Sequence, residues 1–127
     1  MSTLLDTLKA LPTDPSRVVD LYSQLYAASF IAFVQAGSQS NLGSALFLTY
    51  PTQDQMRELP LFTSREFVLP NFPADAVSIT VPGSALWPRL LDIVKTGECE
   101  AAIDPGQRHG IRLRHDIILG MISQYAA

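Results

Sequence analysis

Apolar positions along this chain switch between a helical and a strand-like spacing, and the switches mark the elements. Leu4, Leu5, Leu8 and Leu11 recur at helical spacing and predict a short first helix, ended by Pro12. Asp14-Pro15 reads as an N-cap followed by proline at the first helical position, where a missing N–H matters least. Val18, Leu21, Tyr22 and Leu25 then share one face, predicting an amphipathic helix over 15–28. Residues 30–36 are apolar at nearly every position and rich in β-branched and aromatic side chains, which predicts a strand covered on both faces.

Residues 37–43 form a polar turn with glycine at each end, short enough to make a hairpin with a second strand over 45–50. A turn at 51–55 leads to a third strand over 56–62. Pro60 has no ladder donor, so this strand is expected at an edge or at a bulge. Thr63 and Glu66 spell a capping box. The Thr63 hydroxyl would accept from the Glu66 N–H and the Glu66 carboxylate from the Thr63 N–H, opening a helix that Pro70 stops. Residues 77–81 predict a fourth strand. Ser84 is placed to cap a helix with Leu86, Leu90, Ile93 and Val94 on its apolar face, Pro88 near its first turn and Gly97 just past its end. A fifth strand follows over 99–104, with Cys99, Ala101 and Ile103 on one side. Asp104-Pro105-Gly106 turns the chain, 111–113 returns beside it, and a last helix opens at or just before Asp116. That helix buries Ile117, Ile118, Met121, Ile122 and Tyr125. The order predicts an α/β (α+β) fold: a single mixed sheet of about five to six strands with helices packed on it. One domain is expected over 1–127, with 1–14 as an N-terminal helical extension.

Composition narrows the function classes. The 127 residues are 47% apolar, enough for one real core. A net charge of −3 argues against a nucleic-acid partner, since such domains are usually basic. The single cysteine, Cys99, forms no intramolecular disulfide and fits a reducing compartment. No run approaches the roughly 18 apolar residues of a membrane span, and the first residues lack the basic and apolar regions of a signal peptide. A cytoplasmic protein without membrane insertion is expected.

Three stretches carry a resemblance. Leu59-Pro60-Leu61-Phe62-Thr63-Ser64, Ala101-Ala102-Ile103-Asp104-Pro105-Gly106, and Ile111-Arg112-Leu113 with the last helix resemble the SseB family of small bacterial proteins, named for an enhanced serine sensitivity trait. The likeness spans about Arg17 to Tyr125. Two departures stand out: Asp104 replaces the family's asparagine, and Pro70 and Pro73 cut short the helix after Phe62-Thr63-Ser64. The resemblance implies an α/β fold, a bacterial origin and no agreed catalytic site. Family links to secretion-system loci imply an accessory or immunity role.

The candidate chemistry is sparse. Cys99 with His109 or His115 and Asp104 or Asp116 makes a thiol triad on paper. A nucleophilic thiol needs an exposed, electropositive setting, whereas Cys99 lies on an apolar face, so an inert cysteine is preferred. Two histidines six residues apart do not make a metal set, and no metal or cofactor is expected. Two groups remain as partner-binding candidates: the apolar Val68, Leu69 and Phe72, and the basic Arg108, Arg112 and Arg114. Against the first stands a lid folded over the sheet; against the second, a solvated face. The leading expectation is a non-catalytic bacterial protein-binding module that engages a toxin or a secretion-system component. A small-molecule-binding regulator connected with amino-acid (serine) metabolism is the alternative, and a small thiol enzyme the third. Self-association as a homodimer stays open.

Overall fold

A computed structural model describes residues 4–52, 56–69, 72–95 and 99–125. Its elements in order are α1 (Leu4–Ala10), α2 (Val18–Ala27), β1 (Ser29–Gln35), β2 (Tyr50–Pro51), β3 (Arg57–Phe62), β4 (Ala76–Pro82), α3 (Gly83–Val94), β5 (Cys99–Ile103), β6 (Ile111–Leu113) and α4 (His115–Tyr125). Six strands form one mixed sheet in the order β4-β1-β3-β5-β6, with β2 paired to the start of β3. β1 runs antiparallel to both its neighbours, and β3 and β5 form the one parallel pair among the described strands. This is the α+β class expected from the alternation of periods.

The strand period of two divides the sheet into two faces. Phe30, Ala32, Leu59, Leu61, Val81, Ala101, Ile103 and Leu113 point to one side. There they join Leu8, Leu21, Leu25, Leu86, Trp87, Leu90, Val94, Ile118 and Met121 from the four helices in one buried cluster. Trp87 is its largest fully buried side chain, edge-on to Phe30 with ring centroids 5.4 Å apart, its indole N–H donating to the Leu25 carbonyl at 2.9 Å. α2 and α3 meet closely because Gly83 has no side chain. A Cβ there would lie 2.5 Å from the Leu25 oxygen and 2.7 Å from that of Tyr26.

Four local expectations outside the stretch that follows β3 differ from the structure. The strand foreseen over 45–50 is reduced to a bridge between Phe47 and Val34 and the two residues of β2. Asn41 caps a tight turn over Leu42–Ser44, and the Arg89 guanidinium holds the Leu42 and Ala45 carbonyls at 3.2 Å, so the chain reaches β1 only for the length of the Leu46 and Leu48 main-chain bonds. Pro60 does not sit on an edge strand: β3 lies between β1 and β5. The Leu61 carbonyl accepts from Asp104, so Pro60 faces the other way, toward β1, where the ladder has already ended after Ile31–Phe62 and Ala32–Leu61. α3 begins at Gly83 with Pro82, not Ser84, at its N-cap, which leaves Pro88 inside the helix and not in its first turn. The helix foreseen over 15–28 starts as a 3-10 turn, Pro15–Arg17, and Asp14 makes no side-chain cap bond. Gly97, foreseen just past α3, lies outside the described residues, as does Pro70.

Candidate functional site

The face of the sheet turned away from the helices carries Phe33 of β1, Glu58, Pro60 and Phe62 of β3, Ala102 of β5 and Arg112 of β6, as the registers Pro60–Ala102 and Ala102–Arg112 require. No described helix covers it. The chain after β3 does so instead. Phe72 stacks on Phe33 with ring centroids 4.0 Å apart and meets Phe62 edge-on. The fold-back reading of Val68, Leu69 and Phe72 is the one the structure adopts: all three are half-buried.

The capping box is not formed. Ser64, not Thr63, caps the turn, accepting from the Glu66 N–H at 3.4 Å, and the turn is a single 3-10 turn over Arg65–Phe67. Both donors of Thr63 go elsewhere. Its N–H and its hydroxyl bind the Asp104 carboxylate at 2.9 and 2.6 Å, charge-assisted bonds stronger than a neutral cap. Asp104 is fully buried and holds φ at +48°, a left-handed conformation that aspartate and asparagine tolerate better than most residues. Its Oδ2 also meets His109 Nε2 at 2.8 Å, and the His109 ring stands edge-on to Phe67. The ends of β3 and β5, the loop before β6 and the covering segment are thus tied at one buried carboxylate. Thr63 is not placed as the hydroxyl of a hydrolytic triad. In a hydrolytic triad the imidazole stands between hydroxyl and carboxylate and takes the hydroxyl proton. Here the carboxylate stands between Thr63 and His109.

Beside this tie the covering segment leaves a cleft of about 580 Å³, walled by Leu48, Tyr50, Pro60, Leu69, Phe72 and Pro105. A smaller hollow of about 210 Å³ adjoins it, sharing Tyr50, Pro105 and Gly106 and adding Glu58, Gln107 and Arg112. Glu58 is the polar anchor. The Tyr50 hydroxyl donates to one of its oxygens, and Arg112 Nε donates to the other at 2.6 Å. The Glu58 side chain is 7% exposed and that of Arg112 60%, so the carboxylate is fixed in the wall while the guanidinium reaches solvent. Burial first, then the Glu58 hydrogen bond and charge, push the Tyr50 phenol well above its ordinary range, with Arg112 opposing. Tyr50 therefore serves as a neutral donor.

The predicted partner-binding residues are brought together only in part. Leu69, Phe72 and Arg112 line the two adjoining hollows. Val68 ends the 3-10 turn and lines neither. Arg114 pairs with Asp116 at 3.6 Å with both side chains exposed, and Arg108 is exposed in the loop before β6. The basic cluster therefore does not act as one group. Cys99 is buried, and burial pushes its thiol up, against the smaller opposing effect of Arg57. Among the described residues no group of three or more His, Cys, Asp or Glu is placed to hold a metal ion, and no helix is long and apolar enough to cross a membrane. Tyr50 and Glu58 are the wall residues that sequence reasoning missed. The alternation Glu58, Pro60, Phe62 opposite Leu59 and Leu61 was the available signal: it puts a carboxylate on the second face.

A mixed sheet with helices on one face and a strap-covered cleft on the other is a small α+β domain. The chain belongs to the SseB protein N-terminal domain family, whose model matches residues 2–118. The matched span takes in α1 as well as the stretch from Arg17 and stops within α4. No curated protein and no solved structure matches the chain.

Proposed function

We propose that this protein is a non-catalytic protein-binding module and that its binding site is the cleft on the second face of the sheet. The cleft carries the reading: apolar walls from Leu48, Leu69, Phe72 and Pro60 end at a fixed Glu58 and a solvent-reaching Arg112. Such a surface takes an apolar side chain of a partner and sets its direction with one polar contact, the usual division between anchor and rim. The partner class is a bacterial toxin or secretion-system component, following the family resemblance. The groups able to do chemistry support a binding role: Thr63 and His109 are both bound to Asp104, and the Cys99 thiol is buried. The test begins with the proteins that co-purify from the native cell. Leu69→Lys should raise the dissociation rate of such a partner at least tenfold, and Arg112→Glu should slow association, with the thermal midpoint of each variant recorded. Unchanged kinetics in both variants sink the proposal.

The cleft volume also suits a small ligand, and the second hollow is polar, which favours the alternative of a regulator that binds a small molecule such as an amino acid. Calorimetric titration with free amino acids separates the two: saturable heat lost in Leu69→Lys supports the regulator, and no heat leaves the protein partner.

A further inference from the structure

The path β4-β1-β3-β5-β6 ends in two edge strands, and they are built differently. β6 is three residues long, carries Arg112 and is followed by Arg114. Shortness and charge are the usual protections of an edge strand. β4 has neither. Its seven residues, Ala-Val-Ser-Ile-Thr-Val-Pro, include no charge. Its register with β1 runs unbroken from Ser29–Pro82 to Gln35–Ala76, with no bulge to twist it away. Among the described residues no strand pairs with its outer side.

The ladder fixes which main-chain groups point outward. The Ala36 N–H donates to Asp75 at 2.9 Å and the Gly83 N–H to Ala28 at 2.6 Å, so these two pairs bracket β4 as hydrogen-bonded pairs. Bonded and non-bonded pairs alternate in an antiparallel ladder. Ala32–Ile79, Phe30–Val81 and Val34–Val77 therefore bond across to β1, and Ser78 and Thr80 turn their N–H and C=O groups outward. The Ala76 N–H is held by Pro73 at 3.0 Å, and Pro82 has none. The edge thus offers one short, defined set of donors and acceptors.

That set is complementary to itself. If two copies of β4 lie antiparallel about a two-fold axis at Ile79, Ser78 of each faces Thr80 of the other and four main-chain bonds form. Ile79 lies opposite Ile79, and Val77 opposite Val81. Valine and isoleucine meet on the helix-covered face, serine and threonine on the other, and β4 itself brings no charge to the seam; the nearest, the Arg65 guanidinium, is held on the Ser78 hydroxyl at 3.5 Å. We propose that β4 is a dimerisation edge, at which a second copy of this chain adds its own β4 antiparallel across Ile79 and joins two sheets into one. No residue of β4 lines the cleft, so the dimer leaves both clefts open and does not depend on the proposed function.

The test is made on the full chain by sedimentation equilibrium and oxidative cross-linking. The parent should have twice the 13.9 kDa mass of one chain. Thr80→Pro removes an outward N–H and no bond to β1, and should halve the mass. Ser78→Lys combined with Thr80→Lys places charge against charge and should do the same, which decides the matter where the proline variant fails to fold by circular dichroism. Ile79 faces its own mate as a non-bonded pair, with Cα atoms about 4.5 Å apart, inside the roughly 4.4–6.8 Å range of disulfides. Ile79→Cys in a Cys99→Ala background should therefore form an interchain disulfide on mild oxidation, while Val77→Cys should not. A monomeric parent at every concentration overturns the proposal. So does a dimer that survives the double-lysine change, or one in which Val77→Cys cross-links and Ile79→Cys does not.

Discussion

Asp104 is where a single residue decides most. Its carboxylate receives three groups while wholly buried, and its backbone holds a conformation that few side chains tolerate. Asp104→Ala leaves the Thr63 N–H, the Thr63 hydroxyl and His109 without their acceptor and strains the turn, so stability should fall by about 3 kcal/mol in urea denaturation. Asp104→Asn, which restores the residue of the family pattern, should stay within about 1 kcal/mol of the parent. An amide accepts from the Thr63 N–H through its oxygen and donates through its nitrogen to the Thr63 hydroxyl and, with the ring in its other tautomer, to His109 Nε2. An asparagine variant as damaged as the alanine one would show that the charge itself is required. Tyr50 gives the pH prediction. Its pKa is higher folded than unfolded, so above about pH 10 the unfolded chain loses the phenol proton first. Fewer protons are then bound unfolded than folded, and stability falls as pH rises. Tyr50→Phe should flatten that alkaline loss, as read from denaturation midpoints at a series of pH values. The sequence could not show either site. Thr63 followed by Glu66 is a local signal that competes with a carboxylate 41 residues away, and only the fold brings that carboxylate within reach.

Elements were legible where their signals are local. The periods of α2, α3 and α4 were visible because each buries one face of its own regular pattern, and β1 and β5 were visible as short apolar runs buried on both faces. Pro60 misled because proline limits one side of a strand only, and the sequence does not say which side lacks a neighbour. Residues 45–50 misled because a β-propensity run becomes a strand only where a partner runs beside it, and Arg89 ties the preceding loop back instead. Two glycines test the helix layer with opposite signs. Gly83→Ala drives a methyl group into the carbonyls of Leu25 and Tyr26 and against the Trp87 nitrogen, 2.9 Å away. It should cost about 1–3 kcal/mol and red-shift the Trp87 fluorescence as α2 and α3 separate. Gly120, inside α4, has open space around its missing Cβ. Gly120→Ala should stabilise the protein by about 0.5–1 kcal/mol through helix propensity and lost freedom of the unfolded chain. A Gly83→Ala midpoint equal to or above that of the parent would mean that the two helices do not depend on the close approach at Gly83.

Across the whole molecule, the helix layer and the proposed binding cleft lie on opposite faces of the sheet. Every helix contributes to the first face, where Ile118, Leu86, Leu90 and Trp87 are fully buried and the α2–α3–α4 layer closes over Phe30 and Leu61. The second face is covered by one proline-containing segment whose apolar residues are only half-buried and which leaves a cleft beneath it. A face meant to receive a partner must give up some of its own packing, because a filled cleft admits nothing. Matched truncations measure this division. Ile118→Ala opens a cavity in a layer with no room to relax and should cost about 2–5 kcal/mol. Leu69→Ala trims a wall that already borders open space, so no new buried cavity forms and the loss should be about 1 kcal/mol or less. The order should invert for partner affinity: Leu69→Ala weakens binding at the cleft, while Ile118→Ala, assayed at a temperature where it stays folded, leaves the dissociation rate as in the parent. Denaturation midpoints and dissociation rates on the same two variants check both halves. Equal stability losses would mean that the segment over the second face is as much core as the helices are, and that the cleft beneath it is a packing defect and not a site.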